Sequence, residues 1–186
     1  LYHMKRLESF RASDNALPVA IDPYLNYPKG AIIPWPPYYT IILDLICGES
    51  IEQDVATAPL IFGVLTSFMV ALSGWILAGR SVAITAGLLH AFSYGSIHYS
   101  SLGVADHHAF ISFLLSVLLF LFTCLLTSRH LLSISRAFSL AAISGFIVGL
   151  MLGSWVGSFL YILPLQFLCL WLIYKYNQKS IVLFVS

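Results

Sequence analysis

The stretch Ser101-Leu102-Gly103-Val104-Ala105-Asp106-His107-His108 opens directly into the apolar run AFISFLLSVLLFLFTCLL, Ala109–Leu126. A run of that length without a charge is what a membrane-crossing helix requires, since about 20 apolar residues span a bilayer core. The polar residues before it are then the informative ones. Ionisable groups beside lipid cost about 2.5–3.5 kcal/mol per charge at a helix centre, so they are kept where they pair, bind metal or face water. Asp106, His107 and His108 stand at the mouth of such a helix.

The rest of the chain agrees. It has 186 residues, 59% of them hydrophobic and 9% charged, with a net charge of +1 and a mean hydropathy of +0.89. A soluble domain carries roughly 25% charged residues, so this is an integral membrane protein. No Lys/Arg cluster suggests nucleic acid as a partner. Cys47, Cys124 and Cys169 are far apart, and neither a disulfide framework nor a cysteine metal site is implied. The chain begins at Leu1 in a charged stretch and stops at Ile181–Ser186 within an apolar one, and it is read as a fragment of a longer protein.

Apolar runs divide the chain into an all-α polytopic bundle of about five spans over 55–186, with a further one truncated. The runs are Val55–Ala78, Val82–Ile97 and Ala109–Leu126, followed by Phe138–Tyr174. At about 1.5 Å per residue the last is too long for one crossing. It is expected to turn back near Gly153-Ser154-Trp155-Val156-Gly157-Ser158. Arg80, Arg129, Arg136, Lys175 and Lys179 then fall on one side, while Glu49, Glu52, Asp54 and Asp106 fall on the other. Lys/Arg-bearing loops stay in the cytoplasm, which places the Asp106 loop outside.

Residues 1–54 form the external part. LYHMKRLESFRA (1–12) reads as an amphipathic helix. Ile21–Gly30, rich in proline and aromatics, is expected to run extended. Pro34-Trp35-Pro36-Pro37 precedes the apolar segment Tyr38–Cys47, which is too short to cross and is expected at the outer interface.

Asp106 with His107 and His108 offers oxygen and nitrogen ligands suited to Mg²⁺, Mn²⁺ or Zn²⁺. With this spacing, Asp106 and His108 can converge on one ion while His107 points away. The competing reading is that Asp106 caps the following helix, accepting backbone N–H bonds at its positive end. His3, Lys5 and Arg6 suit either an anionic lipid phosphate or a solvated helix face. His90 and His98 read as interfacial or hydrogen-bonded histidines, Trp75 and Trp155 as packing or belt residues, and Asp22 and Asp44 as structural.

Taken together, Leu1-Tyr2-His3-Met4-Lys5-Arg6, Asp22-Pro23-Tyr24-Leu25-Asn26-Tyr27-Pro28-Lys29-Gly30-Ala31, Pro34-Trp35-Pro36-Pro37 and Leu102-Gly103-Val104-Ala105-Asp106-His107-His108 resemble the amino-terminal part of the catalytic subunit of oligosaccharyltransferase. The likeness is to the single-subunit archaeal and bacterial type. It implies a GT-C-type transmembrane bundle with a large external first loop. It also implies transfer of an oligosaccharide from a polyprenyl-phosphate or -diphosphate donor to the asparagine of Asn-X-Ser/Thr in an acceptor polypeptide. Mn²⁺ or Mg²⁺ would be held by Asp106 and His108, with Asp106 the catalytic residue, and membrane lipid would be the surroundings. The family's first acid would precede Leu1 by one or two positions, and its later glutamate and Trp-Trp-Asp motif are not in this sequence, so the fragment is expected to be inactive alone. Many members carry arginine seven residues before the loop aspartate, where this chain has Tyr99.

Two other classes compete. A metal-ion transporter would use Asp106, His107 and His108 as a gate, but it should carry ionisable residues near the midplane of several spans. Another lipid-phosphate-dependent transferase would share the outward site.

Overall fold

A computed structural model describes residues 2–13, 21–22, 25–128 and 133–176. The elements run α1 (Tyr2–Ala12), β1 (Ile21–Asp22), β2 (Ala31–Ile32), α2 (Tyr38–Ile46), α3 (Ile51–Ala78), α4 (Arg80–Ala91), α5 (Tyr94–Ser100), α6 (His107–Ser128), α7 (Ile134–Ser154) and α8 (Phe159–Tyr176). Ile51–Ala78, His107–Thr127 and Ser135–Ser154 are each long and apolar enough to cross a membrane. The protein is an integral membrane protein.

The side chains sort in the way a lipid solvent demands. Phe68, Trp75, Leu89 and Phe146 lie more than half exposed, which would be costly in water and is neutral against acyl chains. The interior draws Leu7 and Phe10 from α1, Tyr39 and Leu43 from α2, Phe62 from α3, Phe110, Leu114 and Leu118 from α6, and Met151 from α7 into one cluster. Residues before α3 are thus part of the same core as the spans. Close approach of helices needs glycine at Gly74, where a Cβ would sit 3.1 Å from the Val82 carbonyl and 3.2 Å from the Ala83 backbone. At Gly153 a Cβ would collide with the Tyr38 ring, so α2 docks tightly on the end of α7.

The expected turn in the 138–174 stretch is present. α7 ends at Ser154, Trp155 adopts an extended conformation, and a 3-10 turn over Val156–Ser158 leads into α8. Two expectations need correction. The run Val82–Ile97 is not one helix: α4 ends at Ala91 and Ser93 starts α5, its hydroxyl accepting from the Ser96 amide at 3.3 Å. The apolar count registers no break there because Phe92 and Tyr94 are apolar, whereas Ser93 is a helix N-cap residue. Ile21–Gly30 does not run extended either. Ile21-Asp22 pairs antiparallel with Ala31-Ile32, Ile21 opposite Ile32 and Asp22 opposite Ala31, and residues 25–29 form turns. Asn26 and Gly30 take positive φ, and those residue types tolerate that region. Arg129, His130 and Lys179, and the further span begun at Ile181, lie outside the described residues.

α1 and α2 are tied by Arg11. Its guanidinium donates to Asp44 Oδ1 at 2.6 Å and to the carbonyls of Cys47 at 2.6 Å and Gly48 at 2.7 Å. A cation on the free carbonyls of a helix end satisfies acceptors that have no intrahelical partner. Asp44 therefore has the structural role expected of it.

Candidate metal centre

Asp106 is the last residue before α6, in a loop held against α3 by the Gly103 amide, which donates to the Ala56 carbonyl at 2.9 Å. Gly103 has a φ of 84°, a left-handed conformation that glycine adopts without strain. This turn aims the Asp106 carboxylate at three imidazoles. Oδ1 lies 2.7 Å from His107 Nδ1 and 3.7 Å from His3 Nε2, and Oδ2 lies 2.9 Å from His108 Nδ1. His107 thus turns toward the carboxylate and not away from it, because both histidines of the pair reach it from the first turn of α6.

The His3 contribution comes from α1, 104 positions away in sequence. His3 and Arg6 are buried, at 5% and 8% exposure, which overturns the solvated-face reading for these two. Arg6 donates to the Trp35 carbonyl at 3.1 Å. Tyr39, from α2, closes the site from a further side. It is 1% exposed, its hydroxyl donates to the Asp106 carbonyl at 3.2 Å, and its ring meets His3 edge-on with centroids 4.9 Å apart. Trp155, at the α7–α8 turn, lies over His107 and His108 at 5.4 and 5.1 Å. Its packing role is as expected, but what it packs against was not legible.

Charge follows from this arrangement. Half-burial by itself raises the Asp106 carboxyl, yet the hydrogen bonds from His107 and His3 and the charges of His107 and His108 outweigh it and hold the group well below the ordinary carboxylate range. Burial pushes His3 the other way, down from its usual value despite its bond to Asp106, so its imidazole is neutral. Burial likewise raises the Tyr39 phenol, which stays protonated and remains a donor.

An ionised carboxylate beside several imidazole nitrogens is a donor set suited to a divalent ion. His3, Asp106 and His107 bring one ligand atom each within 4.8 Å of one another. The three separations are 2.7, 3.4 and 3.7 Å, bracketing the ~3.0–3.4 Å between neighbouring ligands on one ion with bonds of about 2.1 Å. The opposite ring nitrogens, His3 Nδ1 and His107 Nε2, are buried with no hydrogen-bond partner among the described residues, so Nε2 of His3 and Nδ1 of His107 are the atoms that face Asp106. The capping geometry is present as well, since Asp106 Oδ1 accepts from the His107 amide at 2.7 Å. Of the other histidines, His90 bonds Ser67 through Nδ1 at 3.0 Å, as expected, and His98 stacks on Tyr94. Neither joins the cluster.

Comparison with known proteins gives a consistent result. The sequence profile of the family described as "Oligosaccharyl transferase STT3, N-terminal" matches residues 20–185. Dolichyl-phosphooligosaccharide-protein glycotransferase 2 of Archaeoglobus fulgidus is 30% identical over 97% of this chain and 28% of its own length. Glycotransferase 1 of the same organism is 32% identical over 61% of this chain and 20% of its own. The chain therefore spans between a fifth and somewhat over a quarter of these relatives. Among solved structures, the archaeal oligosaccharyltransferase AglB of A. fulgidus, in complex with an inhibitory peptide and a dolichol-phosphate, superimposes with a TM-score of 0.79 at 22% identity, covering 98% of this chain and 23% of that one. An A. fulgidus oligosaccharyltransferase complex with Zn and sulfate gives 0.75 at 22% identity over 92% of this chain and 23% of that one. The fold is the GT-C-type membrane bundle.

Proposed function

Because this chain belongs to the oligosaccharyl transferase STT3 family, we propose that it forms the amino-terminal part of an enzyme moving an oligosaccharide from a polyprenyl-phosphate or -diphosphate donor to asparagine in Asn-X-Ser/Thr. The observation that carries this reading beyond family membership is the clustering of three imidazoles on the Asp106 carboxylate at the end of a spanning helix. Residues 1–54 make the external loop over that site, and 55–186 the transmembrane bundle.

Asp106 and His108 are the proposed ligands of a divalent ion, Mn²⁺ or Mg²⁺, with His3 and His107, whose ring nitrogens lie 3.7 and 2.7 Å from the other carboxylate oxygen, as further candidate donors. When bound, the ion supplies Lewis-acid neutralisation of the negative charge that develops on the leaving phosphate. The chain's own residues prepare that event. Asp106 brings a fixed negative charge into a half-buried loop, so a cation is attracted there and no hydrogen bond to bulk water has to be broken at the moment of reaction. Tyr39 holds the Asp106 backbone, and α1 and α2 keep His3 neutral and dry. The α6 helix begins at the site, so the positive end of its dipole would favour the negative charge of a donor phosphate there. Arg80 and Arg136 lie at the opposite ends of α3 and α7 from Asp106, which supports an outward site open to a lipid donor.

The full-length protein, purified in detergent, should attach a polyprenyl-linked oligosaccharide to a fluorescent peptide containing Asn-X-Thr. Chelation should stop the transfer and added Mn²⁺ restore it. A peptide carrying Gln in place of Asn should remain unmodified. Transfer to serine or threonine, or to lipid alone, would move the chain to another transferase class.

A further inference from the structure

The geometry points to Tyr99 as a positioning residue that sets the plane of the His108 imidazole, an inference that rests on the metal reading above. His108 is anchored at one point, where Nδ1 meets Asp106 Oδ2 at 2.9 Å. An ionised carboxylate only accepts, so Nδ1 is the donor in this contact. One hydrogen bond does not stop the ring from swinging about it. A face contact does.

Tyr99 supplies that contact. Its ring lies 4.8 Å from His108, inclined by only 15°, the most nearly parallel of the neighbours. His107 is tilted by 28° and Trp155 by 48° against the same imidazole. Tyr99 is itself held. His98 meets it edge-on at 4.9 Å, and its neighbour Ser100 is pressed against α3 at Gly63, where any Cβ would collide with the serine side chain. Ser100 Oγ donates back to the Ser96 carbonyl at 2.6 Å, and the loop after it is pinned to Ala56. The break between α4 and α5 thus has a consequence. It frees a seven-residue helix to turn one aromatic ring toward Asp106 and His108, while its other side is locked on α3. Because the ring is 40% exposed, replacing it removes the stack without opening the core.

The test uses the full-length protein and Mn²⁺ binding followed by electron paramagnetic resonance, beside the transfer assay. Tyr99→Ala and Tyr99→Leu should each raise the half-saturating Mn²⁺ concentration by about tenfold, and Tyr99→Phe should stay within about twofold of wild type, as expected for a supporting residue behind a ligand. At saturating Mn²⁺ the transfer rate of the Ala and Leu variants should largely recover. Wild-type Mn²⁺ binding by both Ala and Leu variants overturns the assignment. So does a Phe variant as impaired as Ala, since the hydroxyl would then be the active feature. Asp106→Asn separates the two levels: if it loses Mn²⁺ while the Tyr99 variants do not, the positioning role alone fails, and if it keeps Mn²⁺ the metal reading fails with it.

Discussion

Asp106→Ala in the full-length protein should lower glycan transfer by about three orders of magnitude, the scale on which removing one preorganised electrostatic group from an active site acts. Membrane insertion should be unchanged, because insertion follows the apolar runs and the Lys/Arg distribution, neither of which the substitution touches. The variant should therefore be recovered from membranes in wild-type amounts and still be inactive. Loss of the cap at α6 cannot account for such a result. A helix cap contributes about 0.5–2 kcal/mol to stability, and α6 is also held by Phe110, Leu114 and Leu118 in the common core. Transfer near the wild-type rate would remove Asp106 from the chemistry and leave it as a cap.

The second large effect is all-or-none. In a background with Cys47, Cys124 and Cys169 replaced, Ser101→Cys and Leu102→Cys should react with a membrane-impermeant thiol reagent applied to intact cells. Ser128→Cys, at the far end of α6, should react only after permeabilisation. Leu102 is 68% exposed, and unlike Gly103 it does not sit at positive φ, so a cysteine there leaves the loop unstrained. The reverse labelling pattern would put Asp106 in the cytoplasm and end the proposed function, since donor lipid and acceptor polypeptide would then meet on the wrong side.

Periodic and local features were legible in the sequence. α3, α6 and α7 follow from unbroken apolar runs, and the reversal near Gly153–Ser158 follows from length alone. The break between α4 and α5 was hidden, since Phe92 and Tyr94 keep the hydropathy high while the Ser93 hydroxyl caps the start of a new helix. The pairing of Ile21-Asp22 with Ala31-Ile32 was hidden by the intervening prolines, which suggest extension but sit beside the positive-φ residues Asn26 and Gly30.

The site divides in the same way. Asp106 and His108 could be picked out because charge is scarce and two imidazoles adjoin an acid. His3, Tyr39, Tyr99 and Trp155 could not. They reach Asp106 or its histidines from α1, α2, α5 and the α7–α8 turn through packing that no short window encodes. The burial of His3 and Arg6 depends on α2 covering α1, so a polar run that reads as a solvated face becomes part of the interior.

The measurement that bears most directly on the central claim is Mn²⁺ binding by full-length wild-type protein and by Asp106→Asn. Asparagine keeps an oxygen that can cap α6 but lacks the charge, so the substitution separates the two roles that the geometry assigns to one carboxylate. One Mn²⁺ should bind per wild-type chain, and the Asn variant should bind it at least about a hundredfold more weakly while melting at nearly the wild-type temperature. Equal affinity in the two proteins would contradict the account.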